Sequence, residues 1–470
     1  MINKRYRAVL KSILGNEWYI DIRPADSNSP QPADMRTDSN GFSLSYKGGG
    51  SEISEPLRGS ECTVIMIIQN QDEADFVNDI AGEEDQSYVI ELLRYDGSQF
   101  YTTYWMGYIW ADAIQISHGG FPYAVSLKAS DSAARFKDYK GMPYNSTRVW
   151  EIFQMLFANY SPNGTIDQNG NISLSPSGMG ASQNIRLGSS YTSGQSLQGE
   201  TNLFYHLSKS YCEAWVDGQT TPINSFWNRL DIVTDWLRNW GFRICLEDGY
   251  YKIIETRYQV GGSISWAEHD SQGVPTGTET TENIQINAGN LHRILDGGKF
   301  FFKRQGYQSD LKYIPSTSSS PTKVDDSRVF NVSGKNAKRF DSTFGDIWSN
   351  QLGHFEAIDD PISNVTNNIA NSTTSGPTNL VNIFQNNAEW IYATPQKYFN
   401  GTVRSKTLRF VSLLVIGGEK FIPNNLTLNA ASDEWSGQWL KVGDLAEVNL
   451  LSQNLDAEIT NQNDINLKVQ

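Results

Sequence analysis

Cysteine pairs, catalytic signatures and any excess of basic charge are missing from this chain, and each absence removes a class of protein. Only three cysteines, Cys62, Cys212 and Cys245, occur in 470 residues. They are odd in number, far apart and without a Cys-x-x-Cys pairing, so neither a disulfide framework nor a zinc site is expected. The chain reads as one that matures in a reducing compartment. Charged residues make up 19%, with 38 Lys+Arg against 52 Asp+Glu, a formal net charge of -14 and a pI near 4.9. Such a surface repels polyphosphate and anionic lipid. The basic start, Met1 to Arg7, leads into an apolar stretch broken by Lys11, so no signal peptide is expected, and no membrane segment is found. Gly-x-Ser-x-Gly, His-Glu-x-x-His, Walker-type glycine loops and a Gly-x-Gly-x-x-Gly after a strand are all lacking, which weakens hydrolase and nucleotide readings. The five histidines, His118, His206, His269, His292 and His354, never fall at i, i+4 ligand spacing. No cofactor and no catalytic or metal-binding residue is assigned.

What is present is aromatic and turn-rich: 12% aromatics, with 13 Trp and 22 Tyr, among abundant Gly, Asn, Ser and Thr. That mixture suits β-rich domains with wet interfaces. The length allows roughly three domains. Alternation predicts strands over Tyr6–Leu14, Trp18–Ile22, Phe42–Tyr46, Glu61–Gln69, Tyr88–Tyr95, Phe100–Ile109 and Tyr123–Ala129, interrupted by a helix over Glu73–Ile80 with Phe76, Val77 and Ile80 on one face. Turns are expected at Gly15-Asn16 and Asp96-Gly97. A second helix is predicted over Thr147–Asn159, then a Gly/Ser/Asn/Gln-rich arm from Ser161 to Glu200. Ser225 caps a third, whose stripe of Leu230, Val233, Leu237 and Trp240 ends at Gly241. Phe242 to Glu255 follows as a hairpin around Asp248-Gly249. Gly261–Glu282 reads as a polar stretch and Lys299–Lys303 as an aromatic strand. Beyond linkers at Pro315–Pro321 and Ser363–Thr378, strands are expected at Leu408–Ile416, Trp439–Val442, Leu445–Leu450 and Ile465–Val469. The fold class is therefore α+β and β-rich, two barrel-like or sandwich domains joined by a helix-containing α+β region: a β-rich barrel-like domain over 1–140, an α+β region with a second module over 141–310, and a further β-rich C-terminal region over 311–470.

Candidate chemistry is thin. Asp167 to Asn171 resembles the start of a calcium loop, but Gly178 stands where the bidentate Glu belongs, so an Asn-Gly turn is the better reading. His269-Asp270 and Asp359-Asp360 could serve as acid/base groups only if folding set two carboxyls about 5 to 9 Å apart across a sugar. Several Asn-x-Ser/Thr sequons, at Asn145, Asn163, Asn331, Asn364 and Asn400 among others, match chance in so Asn-, Ser- and Thr-rich a chain. The densest aromatic run is Tyr101, Tyr104, Trp105, Tyr108 and Trp110. Alternation sets Tyr104, Tyr108 and Trp110 on one face, as partner-binding candidates, and Trp105 on the other. A strand through Ile465, Leu467 and Val469 would leave an open edge for a neighbouring subunit to cover.

The order of features is similar to the tail proteins of long-tailed bacteriophages. It comprises a Gly-x-x-Trp corner (Gly15, Trp18), a Gly-Ser-x-Cys strand start (Gly59, Ser60, Cys62), Tyr88 to Ile90, and the strand Tyr104-Trp105-x-Gly107-Tyr108. An Ala-x-Asp segment then leads to Phe136-Lys137-Asp138-Tyr139. The unit from Phe226 to Glu255 resembles the corresponding part of central baseplate hub or tail-tip proteins, and the likeness covers about residues 1 to 310. This resemblance implies a structural virion protein with two barrel-like domains, a ring-forming homo-oligomer, generally a trimer, that joins the tail tube to distal tail and spike proteins. DNA would pass through its channel without specific binding, and the protein would be made in the host bacterial cytoplasm. The alternatives are a carbohydrate-binding or carbohydrate-cleaving tail adhesin, and a Bacteroidetes-style surface binding protein, against which the missing signal peptide argues.

Overall fold

The most regular alternating segment, Gly59–Ile68, buries Ser60, Cys62, Val64, Met66 and Ile68 and leaves the residues between them partly open. A strand with one face on a core requires that pattern. The structure, a computed structural model, describes residues 4–25, 31–47, 56, 58–83, 87–95, 101–116, 119–131, 133, 147–148, 184–188, 207–210, 234, 237, 241–269, 275–289, 291–295, 298–303, 308–313, 324–329, 354–357 and 396–442. The expected arm at 161–200, apart from a strand within it, the stretches 315–321, 363–378 and 445–450, Asp96-Gly97 and the terminal strand 465–469 lie outside the described residues.

The first strands are β1 (Tyr6–Lys11), β2 (Glu17–Pro24), β3 (Ala33–Asp34), β4 (Arg36–Lys47), β5 (Gly59–Ile68), β6 (Tyr88–Tyr95), β7 (Tyr101–Ile109), β8 (Gln115–Ile116) and β9 (Tyr123–Ser130). They lie in the order β4-β5-β9-β7-β6-β2-β1-β3, with β8 beside β9. All pair antiparallel except β1 with β3. Chain from β3 passes through Met35, whose N–H donates to the Arg7 carbonyl at 2.9 Å, directly into β4. One stretch thus borders β1 on one side and β5 on the other.

Helix α1 (Gln71–Gly82) covers this sheet. Its start is a reciprocal cap: the Asn70 side chain accepts from the Glu73 N–H at 3.0 Å, and the Glu73 carboxylate accepts from the Gln69 N–H at 2.8 Å. Phe76, Val77 and Ile80 are buried as their spacing predicts. The Phe76 ring lies 4.6 Å from Tyr6 and 5.6 Å from Tyr88, tying α1 to β1 and β6. Burying such a ring contributes about 1.5–3 kcal/mol.

Strand β7 departs from simple alternation. Its register with β6 steps from Leu92–Trp105 to Leu93–Thr103, leaving Tyr104 as the extra residue of a bulge. Tyr104 and Trp105 therefore both enter the main core, and Tyr108 falls on the opposite face in a small cluster with Val89 and Met106. The expected sharing of a face by Tyr104 and Tyr108 is corrected accordingly.

The middle of the chain supplies β10 (Thr147–Arg148), β11 (Asn184–Gly188), β12 (Leu207–Ser210), β13 (Phe242–Glu247), β14 (Tyr250–Glu255), the single-turn helix α2 (Thr256–Gln259), β15 (Ser263–His269) and β16 (Pro275–Asn283). Thr147 and Arg148 are strand, not the start of a helix, and the rest of that expected helix is outside the described residues. Of the third helix, Thr234 and Leu237 are described and helical, and Leu237 is buried. Five strands form the sheet β13-β14-β11-β15-β16. The polar stretch 261–282, for which no strand is expected, holds the paired strands β15 and β16; Trp266 of β15 is buried, and β16 is almost wholly Thr, Glu and Asn.

The remainder comprises β17 (Gln285–Asn287), β18 (His292–Ile294), β19 (Lys299–Lys303), β20 (Gln308–Tyr313), β21 (Val324–Val329), β22 (His354–Ala357), β23 (Gln396–Ser405), β24 (Leu413–Ile416), β25 (Glu419–Asn429) and β26 (Glu434–Val442). β20 pairs with β21, and β22 joins β12 and β10. β18 and β19 both pair with β23, which continues through β26 to β25, and β24 links β25 to β17. β25 then pairs with β4, matching Leu426 to Tyr46 and Leu428 to Leu44, so strands from both ends of the described chain share one sheet. Ser45 Oγ and Thr427 Oγ1, 2.9 Å apart, bridge that seam. The molecule is β-rich, and among the described residues no helix is long and apolar enough to cross a membrane.

Gly107 follows the bulge with the Trp105 ring over it: an added Cβ would lie 2.2 Å from that ring and 2.8 Å from the Ser130 carbonyl oxygen. Gly107→Ala is expected to lower stability by about 1–3 kcal/mol through overpacking. Urea unfolding monitored by Trp fluorescence measures this, and an unchanged midpoint would mean the ring does not sit there.

Candidate functional site

The hairpin of β13 and β14 turns at Asp248-Gly249, where both residues are left-handed, with φ of 52° and 75°. That conformation suits a two-residue turn and explains the Asp-Gly pair. Gly249 donates its N–H to the Tyr104 carbonyl at 3.0 Å, and a Cβ on it would stand 2.7 Å from the Thr103 carbonyl oxygen. The tip of this hairpin is thus pressed onto the bulge of β7.

Charge gathers at that contact. Asp248 accepts from Lys252 Nζ at 2.7 Å and Arg94 at 3.0 Å, and pairs with Arg409 at 3.2 Å. Burial alone would raise its pKa, but the combined pull of Lys252, Arg409 and Arg94 holds the carboxyl well below the usual range. Glu247, fully buried, accepts from the Tyr104 hydroxyl at 3.1 Å and from the Phe410 N–H at 2.6 Å, and meets the equally buried Lys252 ammonium at 3.3 Å. Arg409 continues the network to Glu282, which also accepts from the Trp266 indole N–H at 2.9 Å. Tyr46 donates its hydroxyl to the Leu246 carbonyl at 3.0 Å and stacks on Phe410 with ring centres 4.5 Å apart. Burial first, then the nearby carboxylates, pushes the Tyr104 phenol well above its ordinary range.

Arg94 belongs to β6, Tyr104 to β7, Glu247 to Lys252 to the five-stranded sheet, and Arg409 and Phe410 to the segment before β24. The site is a joint of three parts of the chain. Each charged group in it is matched by an opposite charge. Among the described residues no group of three His, Cys, Asp or Glu could hold a metal ion. Cys62 and Cys245 are buried free thiols with their pKa pushed up by burial, which leaves them weak nucleophiles.

Of the sequence-derived partner residues, Tyr104 and Tyr108 are 1% and 3% exposed, so neither offers a surface. Trp110 is 37% exposed, with its indole N–H donating to Ser130 Oγ at 2.7 Å. Ile465, Leu467 and Val469, like Asp359 and Asp360, lie outside the described residues. Tyr19 stacks on Tyr101 at 3.7 Å, and Arg7 lies 4.2 Å over the Tyr19 ring. Sequence reasoning passed over Arg94, Glu247, Lys252 and Arg409. The available signal was charge inside apolar strands, Lys252 between Tyr251 and Ile253 being the plainest case. His292 sits apart from the joint, its Nδ1 2.8 Å from Ser405 Oγ. That hydroxyl already accepts from the Leu408 and Thr407 N–H groups, so its own proton goes to a neutral imidazole.

Asp248→Asn removes the anion shared by Lys252, Arg94 and Arg409, of which Lys252 keeps Glu247 and Arg409 keeps Glu282, and a loss of stability below the roughly 3–5 kcal/mol of a fully buried broken pair is expected. The depressed carboxyl contributes stability that is present above the ordinary pKa of 3.8 and disappears as pH falls below it. Unfolding of the wild type should therefore steepen with acid below 3.8, and the variant should lack that component. Burial lowers the pKa of His292 from 6.5, so its neutral form contributes stability above 6.5 that declines as pH drops. His292→Gln, which keeps an acceptor toward Ser405, should flatten the stability profile just below 6.5, and an unaltered profile would contradict the neutral assignment.

No protein-family model matches the sequence, and no curated protein matches it. Among solved structures, the chain is similar to the prophage tail protein gp18 of Listeria monocytogenes EGD-e, with a TM-score of 0.40 and 9% identity over 93% of this chain and 98% of that one. It is similar to the tail protein of Neisseria meningitidis MC58, with a TM-score of 0.40 and 8% identity over 91% of this chain and 97% of the other. It is also similar to the E. coli c3393 protein, a type VI secretion component with structural similarity to T4 phage tail proteins, at a TM-score of 0.37 and 8% identity over 90% and 76%.

Proposed function

We propose that this chain is a structural protein of the phage tail tip, a ring-forming baseplate hub that connects the tail tube to the spike or receptor-binding parts and lines a channel for DNA. The observation that carries this reading is the saturated joint. Its ions, Lys252 and Glu247 fully buried and Asp248, Arg94, Arg409 and Glu282 partly so, lock three parts of the chain together with every charge matched, which suits a part that transmits force. In this reading the strands β1 to β9, turned back on themselves through β3 and β4, make one barrel-like domain. β17 to β19 with β23 to β26 make the other, and the seam of β4 and β25 holds the pair. A net charge of -14 supports passage of DNA without phosphate contacts.

Copies of the chain would meet through Trp110, the strand of Ile465, Leu467 and Val469, and the edge formed by β18 and β19. There Leu291 is 82% exposed and Phe302 73%. Apolar side chains at a sheet edge are usually covered by a partner. Closed rings of identical copies use two different patches, one from each neighbour.

Sedimentation of the purified full chain, alone and with tube protein, is expected to give a closed oligomer, with a trimer as the first expectation. Phe302→Asp and Leu467→Asp should each shift it toward monomer. Monomer alone under every condition would count against the ring. Hydrolysis of a host polysaccharide that is lost on Asp359→Asn or Asp360→Asn would instead favour the adhesin reading.

A further inference from the structure

Beside the joint, two buried polar atoms stand without a hydrogen-bond partner, and the side chains that carry them border one small cavity. Its lining includes Arg243 and Cys245 of β13, Ile254 of β14, Gln259 of α2, and Phe410 and Val411. Arg243 is 4% exposed and Gln259 1%, and the orphaned atoms are Arg243 Nε and Gln259 Oε1. The rest of each side chain is already engaged. Arg243 donates from Nη2 to the Pro423 carbonyl and lies 5.4 Å from the centre of the Phe410 ring. Gln259 donates from Nε2 to the Val411 carbonyl at 2.8 Å, which fixes its amide and leaves Oε1 as an acceptor.

The two orphans are therefore one donor and one acceptor, carried by two side chains nine-tenths buried or more that line the same small cavity. Leaving either without a partner is costly, and apolar contents would satisfy neither. A halide would suit the guanidinium, the more so because the positive charge of Arg58 acts on Arg243 from nearby. It would, however, confront the negative end of the Gln259 amide. Water alone among small occupants accepts from one and donates to the other, and a single molecule with two or more polar partners is the common content of such a space.

We propose that this cavity is a specific site for one ordered water molecule, which accepts from Arg243 Nε–H and donates to Gln259 Oε1. Through it, β13 of the five-stranded sheet is tied to α2, and α2 in turn is tied by Gln259 Nε2 to the segment that leads into β24. The water thus extends the joint on the side where the ion network does not reach.

A high-resolution crystal structure of the full chain, with a parallel bromide soak read by anomalous scattering, tests the assignment. The expected result is a density peak within hydrogen-bond distance of both Arg243 Nε and Gln259 Oε1, with no bromine signal there. A bromine peak at the site would overturn the proposal, as would a direct Arg243–Gln259 contact with no density between them. Thermal unfolding of Gln259→Leu, Arg243→Met and the double variant supplies an independent readout. Each single change leaves one partner of the water unsatisfied, so the double variant should lose less than the sum of the two singles. Strict additivity would mean that no shared molecule links them. If Arg243→Met does not fold, Gln259→Leu still decides: its crystal structure should lack the peak.

Discussion

A carboxylate carried into the interior on a tight turn is the constraint around which this structure is arranged. Asp248 sits at the tip of a hairpin and is charged, so burying it demands compensation close by. Lys252 comes from the same hairpin, Arg94 from β6 and Arg409 from the approach to β24. Those three groups belong to parts of the chain that no local element joins. Satisfying one charge thereby fixes where a five-stranded sheet stands against both the early and the late strands, and Glu247 with Tyr104 and the Phe410 N–H repeats the arrangement one residue away.

The seam between β4 and β25 shows the same economy in backbone form. Four residue pairs, from Leu426 with Tyr46 to Asn429 with Ser43, close a loop that spans most of the molecule. Closing a long loop costs entropy that grows only slowly with its length. The seam is then reinforced from the side, because Asp433 accepts from the Leu14 N–H at 2.8 Å and from the Asn16 side chain at 2.7 Å. Contacts so distant in sequence make folding slow and the finished assembly cooperative.

Local pattern carried much of the architecture. Strand β6 coincides with its predicted span, α1 buries the three residues that its periodicity named, and the turn at Asp248-Gly249 is left-handed as the residue pair demands. Errors fall where the pattern is blind. A bulge inserts one residue and reverses the facing of everything beyond it, so Tyr104 and Tyr108 part company although they are four positions apart. The β15–β16 hairpin was passed over because β16 is nearly all polar, its pairing made by backbone groups that any side chain carries. Likewise Leu408 to Ser412 was read as strand for its apolar residues, which are buried in a turn held by the Ser405 and Ser412 hydroxyls.

From the sequence alone came the β-rich class, the acidic composition without catalytic signature, the helix that buries Phe76, Val77 and Ile80, and the hairpin that became the joint. These depend on neighbours within a few residues, and short-range pattern records them. Tertiary structure alone decided which charges meet: nothing in the spacing of Arg94, Asp248, Glu282 and Arg409 links them, since their attraction acts only after the backbone has brought them within a few ångströms. It also decided which aromatics face outward, because that depends on a single bulged residue whose presence is settled by how Trp105 and Gly107 pack, not by the alternation of the strand that contains them.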